Sequence, residues 1–349
     1  MWYRCNLFTS STFSVTSMTL GRPTMTQQHN LPHPVSIWEE DFITYGDANT
    51  PQKVSILSSY METINLYQIL ANVVTDIYKP WSPYSTQESS SRIALEQDNE
   101  MQTVLELADK LTKYSQGINR LLHWRTGSDL REQLPDLAQR AVQRQSNVLH
   151  ARWDSISTTT YILTNYRRFL HVQILLHRPS FLRVCRRLVS SWEPNASGRF
   201  IPKEQIPSSF KSAIEVQSAV KCVTVAVELV TTLQLSIDKR NAGAWWYSMF
   251  CKLSPHLIAH KLICPPSDLY SAGMVLVLSK SCLPLQQEFD IASADQAWLN
   301  CCDILRSLQP YGQAPELGLE SLLAMHDRLV LSSKPGKFCE DEPTMLQIS

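Results

Sequence analysis

The sequence lacks an excess of charge of either sign, because 32 lysines and arginines balance 32 aspartates and glutamates among its 349 residues. A domain that binds nucleic acid by itself normally has a basic excess, so the charge does not favour direct binding to a polyanion or an anionic membrane. Glycine is also scarce, at 10 residues, and no glycine-rich phosphate loop follows a strand pattern. With 44% hydrophobic and 18% charged residues, the chain is predicted to fold as one large or two fused helical domains.

The nine cysteines include no pair separated by two residues, the spacing that lets neighbouring thiolates share a zinc ion. Most lie in apolar periodic segments, as Cys222 and Cys301 do, so we interpret them as reduced and structural in a cytosolic or nuclear protein. His256 and His260 would share one face of a helix, but the sequence offers no third ligand. We therefore predict no metal ligand and no cofactor in this chain.

The sequence also lacks the Gly-x-Ser-x-Gly turn of hydrolases and the His-Glu-x-x-His motif of metalloproteases. Carboxylate pairs such as Glu39–Glu40 and Glu340–Asp341 lie in polar or terminal segments and are interpreted as solvated. We predict no catalytic residue, and an enzyme is the least favoured reading. No apolar run reaches the roughly 18 residues that span a bilayer, so we expect no membrane partner.

Several segments do not show helical periodicity. Residues 1–30, rich in serine and threonine, are interpreted as a disordered leader or a mispredicted start, and residues 331–349 as a disordered tail. Residues 31–55 contain three prolines and are predicted to form an extended arm. Residues 192–209 contain Pro194, Gly198, Pro202 and Pro207 and are predicted to form a surface loop.

Apolar residues elsewhere recur at three- and four-residue steps, which predicts amphipathic helices. The main patterns run from Tyr60 to Ile77, from Met101 to Leu122, from about Asp154 to His177, and from Val216 to Leu233. A weaker one covers 134–148, and later helical segments lie around 245–250, 270–282, 291–308 and 315–330. Glu215 lies near the start of its helix, where the helix dipole favours a negative charge. The predicted fold is all-α, a large bundle of roughly eight or more helices.

Two clusters allow alternative readings. The first is a group of arginines in and after the predicted helix from about Asp154 to His177, which we expect to be central. These arginines could contact phosphate, or they could be cations near helix ends that form salt bridges. They are Arg167, Arg168, Arg183, Arg186 and Arg187. The run Trp245-Trp246-Tyr247 could stack on a ligand or pack in the core.

The segment Arg168 to Pro179 resembles a signature of the fungal-specific transcription factor domain, the middle homology region of zinc binuclear cluster transcription factors. In that family a buried helix ends in the run that this sequence has as Leu175, Leu176, His177, Arg178 and Pro179. Three further blocks are similar to the family in the same order, and with the signature they cover about residues 31–330. They are the proline-containing acidic arm and helix of 31–78, the segment 218–226 with Cys222, and Trp245, Trp246 and Tyr247 followed by Ala272–Leu276.

The resemblance implies a regulator of transcription in the nucleus whose helical region is controlled by an effector or by partner proteins. The implied partners are the transcription machinery or co-regulators, and a second copy or a related transcription factor. No effector-binding residue can be assigned. The alternative is a helical interaction factor that does not bind DNA and modulates a related full-length regulator.

The chain departs from the family in two ways. Only Cys5 precedes the helical region, so zinc and DNA binding apply to the family's N-terminal cluster and to no residue here. We expect a truncated chain, a missed exon or a member without the cluster. Residues 251–269 interrupt the third block, and we hypothesise that they are a translated intron, which transcript reads crossing Phe250 to Tyr270 without a splice junction would reject.

Overall fold

A computed structural model describes residues 42–45, 52–55, 58–78, 90–119, 123–124, 158–190, 192–194, 200–202, 210–238, 267–309 and 313–333. Within these ranges the chain is mainly helical, with seven long helices and one helix of a single turn. The helices are α1 (Ser58–Asp76), α2 (Ser90–Gly117), α3 (Thr158–Ser190), α4 (Phe210–Asp238), α5 (Ser267–Ser279), α6 (Leu283–Gln286), α7 (Ile291–Leu308) and α8 (Gln313–Ser333). The predicted helical class is confirmed at this level.

Two short antiparallel hairpins accompany the helices, one before α1 and one between α3 and α4. Strand β1 (Phe42–Tyr45) pairs with β2 (Gln52–Ser55), and β3 (Trp192–Pro194) pairs with β4 (Phe200–Pro202). The first hairpin falls in the predicted extended arm and the second in the predicted loop of 192–209. Strands of three or four residues are too short to show a period-two pattern, which is why the sequence did not reveal them.

The chain divides into two compact units. The first comprises residues 1–169 and 235–251, and the second comprises 170–234 and 252–349. In the first unit, α1 packs against α2, and Leu66, Leu70 and Leu107 are among its most buried side chains. The hydroxyl of Tyr114 donates a hydrogen bond of 3.0 Å to the carbonyl of Glu62, so α2 is tied to α1 by a polar contact as well.

In the second unit, α5 packs against α7 and α8. Gly273 lies where α5 approaches α7 and α8 closely, because a Cβ atom at this position would lie 2.7 Å from Cδ1 of Leu322 and 3.1 Å from the sulfur of Cys301. Helix α7 begins after Asp290, whose carboxylate accepts a hydrogen bond of 3.0 Å from the backbone N–H of Ala292. This N-cap fixes the start of the helix where the sequence pattern predicts it.

The prediction that the central helix ends before Pro179 is wrong, because α3 continues through this proline to Ser190. A proline inside a helix removes one backbone hydrogen bond and costs about 3 kcal/mol. Beyond Pro179 the apolar face continues with Phe181, which is 0% exposed, and with Val184, which is 4% exposed. Burial of these side chains, at about 1.5–3 kcal/mol each, offsets the cost of the proline.

The segment hypothesised to be a translated intron reaches into α5. Of its residues, only Ser267, Asp268 and Leu269 are described, and Leu269 is 1% exposed. Its carbonyl accepts a hydrogen bond of 3.8 Å from the thiol of Cys301. Residues 251–266 lie outside the described residues, as do residues 1–30, 134–148 and 334–349.

Candidate functional site: the α3–α4 helix pair

The signature residues of α3 and the signature cysteine of α4 lie on the facing sides of one helix pair in the second unit. Leu175 and Leu176 are buried, His177 is 8% exposed, and Arg178 and Pro179 are half-buried. Three polar contacts join α3 to α4, through Cys222, Ser218 and Glu215. Because the α3 partners advance along the chain as the α4 partners recede, the two helices run antiparallel.

His177 and Ser218 form the central contact. The Nδ1 atom of His177 lies 2.8 Å from the hydroxyl oxygen of Ser218, and both side chains are at least 91% buried. Burial, with a smaller contribution from the charge of Lys221, lowers the pKa of His177 to about 4. His177 is therefore neutral at pH 7, and its hydrogen bond with Ser218 satisfies both polar groups in the core.

Cys222 makes the contact one turn further along α4. Its thiol donates a hydrogen bond of 3.8 Å to the carbonyl of Ile174, and both residues are 0% exposed. Burial raises the pKa of Cys222 to about 12, and the nearby charge of Arg178 only partly opposes this effect. The thiol is thus protonated and serves as a small hydrogen-bond donor between the helices.

Glu215 makes the third contact, close to the start of α4. Its carboxylate, with a side-chain exposure of 4%, lies 3.6 Å from Nε of Arg183 and also accepts a hydrogen bond from Nη2 of Arg187. The side chain of Arg187 is 45% exposed, so this guanidinium connects the buried carboxylate to solvent. Paired with two arginines, the buried charge of Glu215 is compensated.

The arginines that the sequence grouped together have separate surroundings. Arg183 and Arg187 hold Glu215, whereas Arg186 is exposed. Arg167 is 9% exposed, and the guanidinium of Arg168 lies 5.6 Å from the ring centroid of Tyr67 in the first unit, within the range of a cation–π contact. Of the two interpretations of these arginines, Arg183 and Arg187 therefore fit the second, because they form salt bridges with Glu215.

Other predicted positions fall elsewhere. Trp245, Trp246, Tyr247, His256 and His260 lie outside the described residues. Ala272, Gly273, Val275 and Leu276 of the third block are buried in α5, where Gly273 allows the close approach of Leu322. In the part of the chain that the structure describes, no group of three or more His, Cys, Asp or Glu residues could hold a metal ion. No helix in that part is both long and apolar enough to span a membrane.

The sequence reasoning did not foresee the roles of Ser218 and of the carboxylate of Glu215. A signal was present, since Glu215, Ser218 and Cys222 are separated by three and four residues and so share one face of α4. Polar residues on the buried face of an otherwise valine-rich helix need partners. Those partners are on α3, and no local pattern identifies them.

Comparisons with protein-family models, with curated proteins and with solved structures found no match to this chain.

Proposed function

We propose that the chain is the regulatory helical region of a fungal-type transcription factor, acting in the nucleus on DNA-templated transcription rather than as an enzyme. On this proposal the whole chain folds as a large bundle of roughly eight or more helices, some of them formed by residues outside the described ranges. Zinc and DNA contact belong to the N-terminal cluster of the family and not to these residues. The partners are co-regulators or the transcription machinery, together with a second copy or a related factor.

One observation carries the proposal. Two of the segments that resemble the family, 168–179 and 218–226, are separate in sequence. They meet through the 2.8 Å contact between His177 and Ser218 and the 3.8 Å contact between Cys222 and Ile174. Residues that were selected on sequence alone therefore share one buried interface. A chance match to the signature run would not require its histidine to contact the second segment.

The mechanism we propose is a shift between two arrangements of the helices. A ligand or partner changes such an equilibrium only if it binds one arrangement more tightly than the other. The α3–α4 contacts are suited to hold one arrangement, because the buried side chains of Glu215, Ser218 and Cys222 on α4 have their partners on α3 in this register.

The test is a reporter assay in a fungal cell, with the full chain fused to an unrelated DNA-binding domain. We expect reporter expression to change several-fold, up or down, relative to the DNA-binding domain alone. His177→Ala should remove the change by disturbing the α3–α4 interface, whereas Arg186→Ala, at an exposed site on the same helix, should keep it.

Reporter expression equal to that of the DNA-binding domain alone, from a fusion that accumulates normally in the nucleus, would contradict the proposal. If such a neutral fusion also copurified with a related full-length regulator, the chain would be an interaction factor. The isolated chain should bind no DNA at physiological salt and contain no zinc, which a gel-shift assay and metal analysis can measure.

A further inference from the structure

The indole of Trp298 on α7 contacts a basic side chain from each of two neighbouring elements. Trp298 is 4% exposed. The imidazole of His326 on α8 stacks on this indole, with the ring centroids 5.5 Å apart and the ring planes inclined by 13°. The Nζ atom of Lys280, in the turn after α5, lies 5.9 Å from the centroid of the same indole. Because α5, α7 and α8 pack against one another, these three side chains connect all three helices.

The charge of one of these two basic side chains depends on pH in the physiological range. Histidine is the side chain that changes its charge between pH 5 and 8. The side chain of His326 is 27% exposed, so a proton reaches it without any opening of the fold. A protonated ring at 5.5 Å from the indole centroid is within the roughly 6 Å over which an aromatic face attracts a cation. The neutral ring has only the weaker ring-on-ring attraction.

The charged and titratable groups around the stack come from all three elements. On α8, Oδ1 of Asp327 lies 3.6 Å from Nδ1 of His326, but the carboxylate side chain is 75% exposed, so this ion pair adds little. The opposing positive charge of Lys280 is compensated by Asp295 on α7, at 2.8 Å. Burial raises the pKa of the Cys302 thiol, one turn further along α7, so it stays uncharged. The indole therefore supplies the main attraction for a protonated imidazole.

We propose that the stack of His326 on Trp298 is a pH-sensitive contact that holds α8 on α7 more tightly when the imidazole is protonated. In the folded chain the protonated ring has the indole face and Asp327 as partners, whereas in the unfolded chain it has water. The stabilisation is therefore present at about pH 5.5 and is lost as the pH rises to about 8. His177 acts in the opposite sense, because burial favours its neutral form. The contact does not rest on the transcriptional function proposed above.

The experiment compares the purified full chain with its His326→Gln variant by hydrogen–deuterium exchange, which measures local opening of the backbone. Peptides from α7 and α8 are followed at pH 8 and at pH 5.5. The two proteins are compared at the same pH, so the intrinsic pH dependence of exchange and the titration of His177 cancel in the ratio of their rates. We expect the rate ratio, variant over wild type, to be about two- to five-fold larger at pH 5.5 than at pH 8, as for a partly exposed cation–π contact.

Two further substitutions separate the indole from the carboxylate, each measured with and without His326→Gln. Asp327→Asn should keep most of the pH-dependent change, because its side chain is exposed. Trp298→Phe should reduce the change, because the phenyl face attracts a cation less strongly than indole does. Loss of the change in Asp327→Asn but not in Trp298→Phe would overturn the role of the indole.

His123 provides a matched control, because it also stacks on a tryptophan, Trp124 in the first unit, at 4.9 Å between ring centroids. His123→Gln should leave the exchange of α7 and α8 unchanged at both pH values, and an equal effect would mean that the pH dependence is not local. A rate ratio for His326→Gln that is the same at both pH values, or smaller at pH 5.5, would overturn the proposal, whether or not the tryptophan variant folds.

Discussion

Lowering the pH should destabilise this protein through His177 in particular. The pKa of this residue is about 4 in the folded chain because of burial and the charge of Lys221, against 6.5 for an unperturbed histidine. The unfolded chain therefore binds a proton at a pH where the folded chain does not. Stability from the neutral imidazole is complete above pH 6.5, falls as the pH drops below 6.5, and reaches its minimum below pH 4.

The magnitude follows from the two pKa values. Each unit of pKa difference corresponds to 1.36 kcal/mol, so the full loss is about 3 kcal/mol. Between pH 7.5 and pH 5 the loss amounts to about 2 kcal/mol, because the unfolded histidine is almost fully protonated at pH 5 and the folded one is about nine-tenths neutral.

The assay is urea unfolding of wild type and of His177→Asn at both pH values. Asparagine does not titrate in this range, and its amide has a hydrogen-bonding group that can face Ser218. Other titrating groups contribute equally to both proteins and cancel in the difference. We expect the stability advantage of wild type over the variant to shrink by about 2 kcal/mol at pH 5. A difference that does not change with pH would refute the reasoning, because His177 would then titrate alike in both states.

Three substitutions, with Gly117→Ala as a control, test other contacts by their effect on the free energy of urea unfolding. Glu215→Gln should cost roughly 2 kcal/mol, less than for a fully buried pair because Arg187 is 45% exposed; a loss below about 0.5 kcal/mol, as at surface sites, would contradict this. Gly273→Ala should cost about 1–3 kcal/mol because its Cβ would clash with Leu322. Gly117→Ala, where no atom lies within 4 Å of the added Cβ, should be neutral or slightly stabilising. Equal effects of the two substitutions would exclude the clash. Phe181→Ala should cost about 3–5 kcal/mol, and a small loss would mean that the side chain is not in the core.

The helices could be predicted where local signals agree with packing. The pattern from 291 to 308 gives the bounds of α7 because an aspartate N-cap and the apolar face both indicate the same start. At Pro179 the local signal and the packing disagree, and packing of Phe181 decides the outcome. Helix ends that depend on distant contacts cannot be predicted from the residues beside them.

The candidate site could be predicted only in part for a related reason. The resemblance to the family pointed to His177 and Cys222, but it did not predict which groups these side chains would contact. That reason is the pairing of His177 with Ser218 and of Cys222 with Ile174, and both pairings join positions more than 40 residues apart. Contacts of this kind arise from the antiparallel packing of α3 on α4, which a single sequence does not encode in any local pattern.

The polar contacts explain how one register of α3 on α4 is selected. The buried face of α4 consists mainly of valine, alanine and leucine, and side chains of such similar shape would pack nearly as well after a shift of one turn, about 5.4 Å. A shift of Glu215 toward the start of α3 would move it away from both Arg183 and Arg187 and leave a carboxylate buried without compensation, at a cost of several kcal/mol. It would also separate His177 from Ser218. Glu215 and His177 therefore define the register more sharply than the larger apolar surface does, although that surface contributes more to the total stability.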